Sequence, residues 1–357
     1  MRNTFGTRLT VTLFGESHGP EIGCILDGLK PGLPVDLARI TDLLARRRPA
    51  GPTATARVEP DPFRIVSGVY QGRTTGTPLC ILIPNTQAGS GEYRGLADTP
   101  RPGHADYTGF VKYQGFADPR GGGHFSGRLT APLVAAAGIV LPALEARGIH
   151  IGTHLARCGG IPDRSFSDLP VDLAALACAP FPVLDPERGS AMREAILAAA
   201  EAGDSVGGVL ETAVTGLPAG LGEPWFDTVE GLLSHALFSI PAVKGVAFGD
   251  GFALADLRGT QADDPFRMDG GRIVTEANHN GGVNGGITNG MPLVFRTAVK
   301  PTPTIRTPRR TVSLASRSDT EITVQGRHDP AIAPRAAIVQ TAVTALVVCD
   351  LLTEAEG

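Results

Sequence analysis

GESHGPEIGCILDGLKPGL (residues 15–33) and GDSVGGVLETAVTGLPAGL (residues 203–221) align without a gap at an offset of 188, with seven of nineteen positions identical. The shared positions are Gly15/Gly203, Ser17/Ser205, Gly19/Gly207, Gly28/Gly216, Leu29/Leu217, Gly32/Gly220 and Leu33/Leu221, while Glu16/Asp204 keep their charge. Each copy reads as a loop, a strand, a turn and then a helix that stops at a proline, Pro49 or Pro241. A repeated unit of this kind implies duplication within the fold. The chain is therefore expected to form one domain over 1–357 with pseudo-symmetric halves, 1–202 and 203–357.

Outward from the repeat, Asp36 is a helix cap whose helix carries Leu37, Ile40, Leu43 and Leu44 on one face, and Arg46, Arg47 and Arg48 fall at its C-terminal end before Pro49. Further helices are expected from about Ala131 to Ala146, Ala191 to Ala202, Thr228 to Ser239 and Ile332 to Leu352. Arg64 to Val69, Leu79 to Ile83, Val209 to Val214 and Leu293 to Val299 read as strands. The 357 residues are 42% hydrophobic and 19% charged, enough apolar material for a large core and too little charge for disorder. A net charge of -4 and a single dense basic run give no footprint for nucleic acid. Five cysteines without a C-x-x-C pair read as buried thiols of a reducing compartment. The longest apolar stretch, Ala336 to Leu352, is interrupted by Gln340, Thr341, Thr344 and Asp350, which suits a buried helix better than a membrane span. A cytoplasmic protein is expected.

The glycine-rich loops hold most of the chemistry-bearing side chains, among them His18, His104, His124, His279 and His328. His18, beside Ser17 and between glycines, is either an acid-base group able to approach a substrate or a hydrogen-bonded structural imidazole. Arg101-Pro102-Gly103-His104-Ala105-Asp106 sets a histidine between a guanidinium and a carboxylate, surroundings that can fix a tautomer. Gly121-Gly122-Gly123-His124-Phe125-Ser126-Gly127-Arg128 leads into a helix, so backbone N–H groups, Ser126 and Arg128 can meet an anion there, unless the segment is only a surface turn. Residues 278–286 combine amides with glycine and suit close approach of a polar ring or a phosphate. Lys300-Pro301-Thr302-Pro303-Thr304 adds a cation and two hydroxyls on a stiff segment. Asp329 is either a reactive carboxylate or the N-cap of the last helix. His150 and His154 lack the glutamate of H-E-x-x-H, so zinc is not expected. The glycine groups also lack the context of a dinucleotide fold.

Taken in order, GESHG (15–19), the helix ending RRRP (46–49), RPGHADY (101–107), GGGHFSGR (121–128), NHNGGVNGGI (278–287), KPTPT (300–304) and RHDP (327–330) closely resemble the chorismate synthase family, and the resemblance covers nearly the whole chain. It implies an α+β fold, a sandwich of antiparallel sheets enclosing helices, assembled as a homotetramer. It implies reduced FMN as cofactor, with NADPH a candidate reductant of the flavin. The implied reaction is anti-1,4-elimination of phosphate and a ring proton from 5-enolpyruvylshikimate 3-phosphate, giving chorismate for aromatic amino-acid synthesis.

Carried over where residues match, the resemblance makes His18 the acid that assists the departing phosphate and His104 the partner of the reduced flavin near its N1. Asp329 would act with flavin N5 in removing the ring proton, with Ser17 and Ser126 as relay groups. Arg47, Arg48 and Arg128 would hold the anionic substrate. Flavin contacts would come from His124, Phe125, Ser126, Ala242, Gly285, Lys300, Pro301, Thr302, Pro303, Thr304 and Arg327. The sequence departs from the family where GGRSSARET reads GGHFSGRLT, which brings in His124, Phe125 and Leu129. Pro241 stands where asparagine is common, and Arg57 is the nearest arginine after RRRP.

Overall fold

In the computed structural model, the first antiparallel sheet takes its five strands in the spatial order β1 (Thr4–Phe5), β2 (Thr10–Gly15), β3 (Glu21–Asp27), β5 (Leu79–Pro84) and β4 (Arg64–Ser67). The second runs β9 (Val243–Phe248), β10 (Leu293–Val299), β8 (Gly208–Thr215), β6 (His150–Cys158) and β7 (Ile161–Pro162). Helices α1 (Leu37–Arg47), α3 (Thr130–Glu145), α6 (Val229–Leu237) and α7 (Ala333–Ala355) pack between them, α3 against the first sheet and α7 against the second. This is the α+β sandwich enclosing helices. The structure describes residues 3–49, 51, 53–54, 60–86, 98–324 and 329–356. The expectations placed on Arg57, Arg327 and His328 lie outside the described residues.

Both sheets are wound alike. Strands β2 and β3, helix α1, strands β4 and β5 and helix α3 follow one another in the chain, and β6, β8, α6, β9, β10 and α7 repeat that succession. In each sheet the second strand pairs with the first and the fourth, and the fourth with the third. Gly28 and Gly216, at φ 94° and 81°, turn the chain after β3 and β8. A Cβ on either would lie 1.8 Å from the Arg8 carbonyl oxygen or 2.1 Å from that of Gly148, each two residues before a strand, β2 or β6. Only glycine fits so close an approach. By strand order we place the junction of the halves in the turn 146–149. Gly203 instead lies within the second half, because α4 (Leu169–Cys178) and α5 (Pro186–Glu201) are inserted between β6 and β8 where the first half has only a short loop.

Local chemistry explains the element ends. Asp36 caps α1 by accepting from the Ala38 and Arg39 N–H groups, and Ile40, Leu43 and Leu44 form its buried face. The helix expected from Ala191 starts at Pro186, where Asp185 accepts from the Glu187 and Arg188 N–H groups. α4 was not expected from sequence; Asp168 caps it ahead of a proline in its first turn. α3 taken with the turn before it (Gly127–Glu145) and α7 are each long and apolar enough to cross a membrane, yet 83% and 89% of their most apolar stretches are buried within the protein. Cys24 and Cys158 are buried as expected, whereas Cys178 is exposed at the end of α4.

The polar residues that interrupt α7 form a buried network against the second sheet. Gln340 Nε2 donates to Thr212 Oγ1 over 2.8 Å, Thr297 donates to Gln340 Oε1, and Thr341 donates to Thr153 Oγ1 over 2.8 Å. Gln340 is fully buried, so replacing it removes partners that water cannot supply. Gln340→Leu is expected to destabilise the protein by about 1–3 kcal/mol, read as a lower urea midpoint in equilibrium unfolding.

Candidate active site

A cavity of about 690 Å³ opens between the helices and the loops that precede α3 and α7. That volume suits a cofactor-sized ligand. Val11, Leu133, Val339 and Val343 supply an apolar wall, Arg47, Arg128, Lys300 and Asp329 supply charge, and His104 supplies an imidazole.

The Gly121–Gly123 segment brings two histidines together. Its φ angles are 58°, 86° and 54°, the left-handed region throughout. A Cβ on Gly121 would sit 2.1 Å from His18 Cε1 and 3.0 Å from Ser17 Oγ, and one on Gly122 would sit 3.3 Å from His104 Nε2. His18 and His104 therefore flank one bare stretch of backbone. The Ser17 N–H donates to the Gly123 carbonyl over 3.0 Å, which ties the 15–19 loop to this segment. Gly121→Ala combines a strained φ with a collision on the imidazole. It is expected to cost about 1–3 kcal/mol in thermal unfolding and to lower turnover by displacing His18.

His104 is oriented by a local triad. Its Nδ1 lies 2.6 Å from Asp106 Oδ1 and 3.1 Å from Arg101 Nη2. A guanidinium only donates, so the Nδ1 proton goes to Asp106 and Nε2 is left to face Gly122 and the cavity. Arg101 also grips Asp106 through Nε at 2.7 Å and Nη2 at 2.8 Å. Burial pushes the Asp106 pKa up, but hydrogen bonds and charge from Arg101 and His104 outweigh it and hold the carboxyl well below the usual carboxylate range. Arg101 Nη1 donates to Thr304 Oγ1 over 3.2 Å, linking the triad to the 300–304 segment.

That segment lines the cavity with Lys300, Thr302, Pro303 and Thr304. Lys300 donates to the Gly103 carbonyl, and Arg309 donates to the carbonyls of Pro102 and Pro303. Thr302 Oγ1 is buried and meets no hydrogen-bond partner among the described residues. A buried hydroxyl of this kind points to a polar ligand. His124 Nδ1 donates to the Gly15 carbonyl over 2.8 Å, and the Phe125 ring packs on Gly109 of α2 (Asp106–Lys112) and lies 6.1 Å from the Tyr113 ring. Ser126 lines the cavity and accepts from the Arg128 N–H over 3.3 Å.

Three arginines gather on one acid. Arg47, Arg48 and Arg128 all pair with Asp61, which is buried. Asp329 pairs with Arg335, whose Nε donates to the Arg47 carbonyl over 2.9 Å. Asp329 is not the N-cap of α7; Ile332 holds that position without a side-chain bond.

The structure thus places Arg47, His104, His124, Phe125, Ser126, Arg128, Ala242, Lys300, Thr302, Pro303, Thr304 and Asp329 on one cavity. Ser17 and His18 are buried directly behind Gly121. Arg48 and Pro301 lie beside the cavity lining, Pro301 facing Gly207. Gly285 sits in the tight hairpin of Val283–Asn284 and Ile287–Thr288 and is not among the lining residues. Sequence reading passed over Asp61, Asn85, Arg309 and Arg335 as site residues. Their role depends on partners far away in the chain, and no local motif marks them.

A family model described as chorismate synthase matches residues 9–353. Chorismate synthase of Aeropyrum pernix is 47% identical over 352 residues, covering 98% of this chain and 93% of the relative. Chorismate synthase of Thermococcus kodakarensis is 45% identical over 97% of this chain and 96% of its own length, and that of Dehalococcoides mccartyi 44% over 99% and 98%. A crystal structure of chorismate synthase superposes with a TM-score of 0.78 at 30% identity, covering 99% of this chain and 94% of that one.

Proposed function

The chain belongs to the chorismate synthase family, an enzyme family of lyases, and we propose that it converts 5-enolpyruvylshikimate 3-phosphate to chorismate with reduced FMN. The convergence of His104, Ser126, Arg128, Lys300 and Asp329 on one cavity, with His18 behind Gly121, carries this reading. The residues suit a flavin: an apolar wall for a ring system, a buried Thr302 hydroxyl without a partner among the described residues, and the Lys300 cation for an anionic group. His104, His124, Phe125, Ser126, Ala242 and the 300–304 segment would hold it. When bound, reduced flavin supplies electron density to the breaking C–O bond, which no side chain offers.

The remaining work falls to the protein. His104, with Nδ1 fixed on Asp106, turns Nε2 toward the place where negative charge must be balanced. His18 delivers a proton to the departing phosphate. Arg47, Arg48 and Arg128 bind the anionic groups of the substrate. Asp329, oriented by Arg335, takes up the ring proton at its carboxylate, and Ser17 and Ser126 relay protons and hydrogen-bond the reactants. The products are chorismate and hydrogen phosphate, the ring proton taken by Asp329 making good the one that His18 gives up.

On the same reading the enzyme serves aromatic amino-acid synthesis in the cytoplasm as a homotetramer, with NADPH a candidate reductant. Exposed rings at Trp225, Phe226, Phe238, Phe252 and Phe266 support assembly, since large apolar groups left in water favour burial. Anaerobic turnover with reduced FMN and 5-enolpyruvylshikimate 3-phosphate, following phosphate, tests the reaction. Folded, flavin-loaded protein that released no phosphate would overturn it.

A further inference from the structure

We infer that Asp61 is a positioning residue for anion binding: its carboxylate aligns Arg47 and Arg128, with Arg48 beside them, toward the charged groups of the substrate. The inference rests on the substrate proposed above. The Asp61 side chain is fully enclosed, at 0% exposure, and those of Arg47 and Arg128 are nearly so, at 3% and 8%. Arg47 Nη2 lies 3.0 Å from Oδ2, Arg128 Nη1 pairs with Oδ1, and Arg48 Nε lies 3.6 Å from Oδ2. Each carboxylate oxygen thus takes a guanidinium from a different element, the end of α1 and the turn before α3.

Three guanidinium groups repel one another, and more strongly where water is excluded. A carboxylate between them is what allows them to share one site. Arg47 and Arg128 line the cavity whereas Asp61 does not. The acid therefore stands behind the cations and fixes them without occupying the place of the substrate. Arg128 is braced further by Asn85 Oδ1, 3.1 Å from its Nε, and Asn85 Nδ2 donates to the Glu16 and Gly19 carbonyls over 3.0 and 2.8 Å. The arginine array is thereby keyed to the loop that carries His18. Asp61 itself adopts φ 47°, a conformation that non-glycine residues hold only where their surroundings over-determine it. Donors fixed in advance bind with less loss of freedom than mobile ones.

The test compares wild type with Asp61→Asn, which keeps the shape and removes the charge. Calorimetric titration of the protein loaded with oxidised FMN, using 5-enolpyruvylshikimate 3-phosphate and inorganic phosphate as a smaller probe, reads the array without turnover. Affinity for both anions is expected to fall about 10- to 100-fold, with oxidised FMN bound within about twofold of wild type. In turnover the loss should appear in KM far more than in kcat. A merely masking acid predicts the opposite sign, because removing a negative charge would then tighten anion binding. Unchanged or tighter binding by Asp61→Asn overturns the inference. Should that variant not fold, Asp61→Glu carries the test: one added methylene displaces the carboxylate, and a KM equal to that of wild type overturns the inference. Wild-type protein that binds both anions but releases no phosphate refutes the proposed reaction and leaves the role of Asp61 to the binding results. Wild-type protein that binds neither anion refutes the role of Asp61 as well.

Discussion

Replacing His18 with alanine is expected to lower kcat for phosphate release by about 10²- to 10⁴-fold, with KM changed far less. His18 is 6% exposed and abuts Gly121, one of two glycines whose missing side chains leave the imidazoles at 18 and 104 in reach of the cavity. A phosphate leaving group carries more charge in the transition state than in the ground state, so a proton held at His18 acts chiefly on kcat. The fold should tolerate the change, because the 15–19 loop is anchored by backbone bonds, from Ser17 N–H to Gly123 and from Asn85 to Glu16 and Gly19. Flavin binding should persist too. An enzyme that kept more than a tenth of its turnover after this substitution would reduce His18 to a packing residue, and would favour a relative of the family that only binds its ligands.

The largest loss of stability is expected at His154, which is not among the cavity-lining residues. His154 is wholly buried on β6, with Nδ1 2.9 Å from Asp163 and Nε2 3.0 Å from Glu211. Both ring nitrogens face carboxylates, so the ring is held as an imidazolium with no lone pair left for a metal. Arg296 approaches Glu211 at 3.7 Å, and Asp163 also accepts from the Leu184 and Asp185 N–H groups, so the cluster joins β6, β8, β10 and the start of α5. His154→Leu leaves two carboxylates around an apolar group and is expected to cost about 3–5 kcal/mol, measured by denaturant unfolding. A loss under about 1 kcal/mol would place the cluster with surface pairs that contribute little.

The same histidine sets a pH dependence. Burial pushes its pKa down, but hydrogen bonds and charge from Asp163 and Glu211 outweigh that and raise it above the ordinary 6.5. The folded state therefore holds the proton more tightly than the unfolded chain. The resulting stabilisation is complete below the unfolded value and is lost as pH rises through the folded one. Thermal midpoints of wild type should fall on that alkaline side, and His154→Leu should lack this component.

Much of the molecule was legible in the residues. The capping of α1 by Asp36, the arginines at its end, the strands at 79–84 and 293–299 and the two buried helices follow from signals that act within a turn or a strand pair. The Arg101, His104 and Asp106 triad was equally accessible, because its members lie close in sequence and both Arg101 and His104 bond Asp106 directly. Asp329 was not. Its two readings, cap or reactive acid, differ only in whether Arg335 turns back to meet it, and that depends on how α7 packs on α1.

The paired segments at 15–33 and 203–221 show the division most clearly. By itself the sequence determined that a strand and a glycine turn occur twice, since φ near 90° and the approach of a carbonyl leave only glycine at residues 28 and 216. It also determined which loops carry histidine, arginine and acid. Only the tertiary structure decided that the two sheets share one strand order, that Gly121 to Gly123 pass between His18 and His104, and that Asp61 gathers arginines from both sides of it in the chain. Those arrangements join residues tens to hundreds of positions apart. Sheet order and helix packing fix such distances, and no local propensity encodes them.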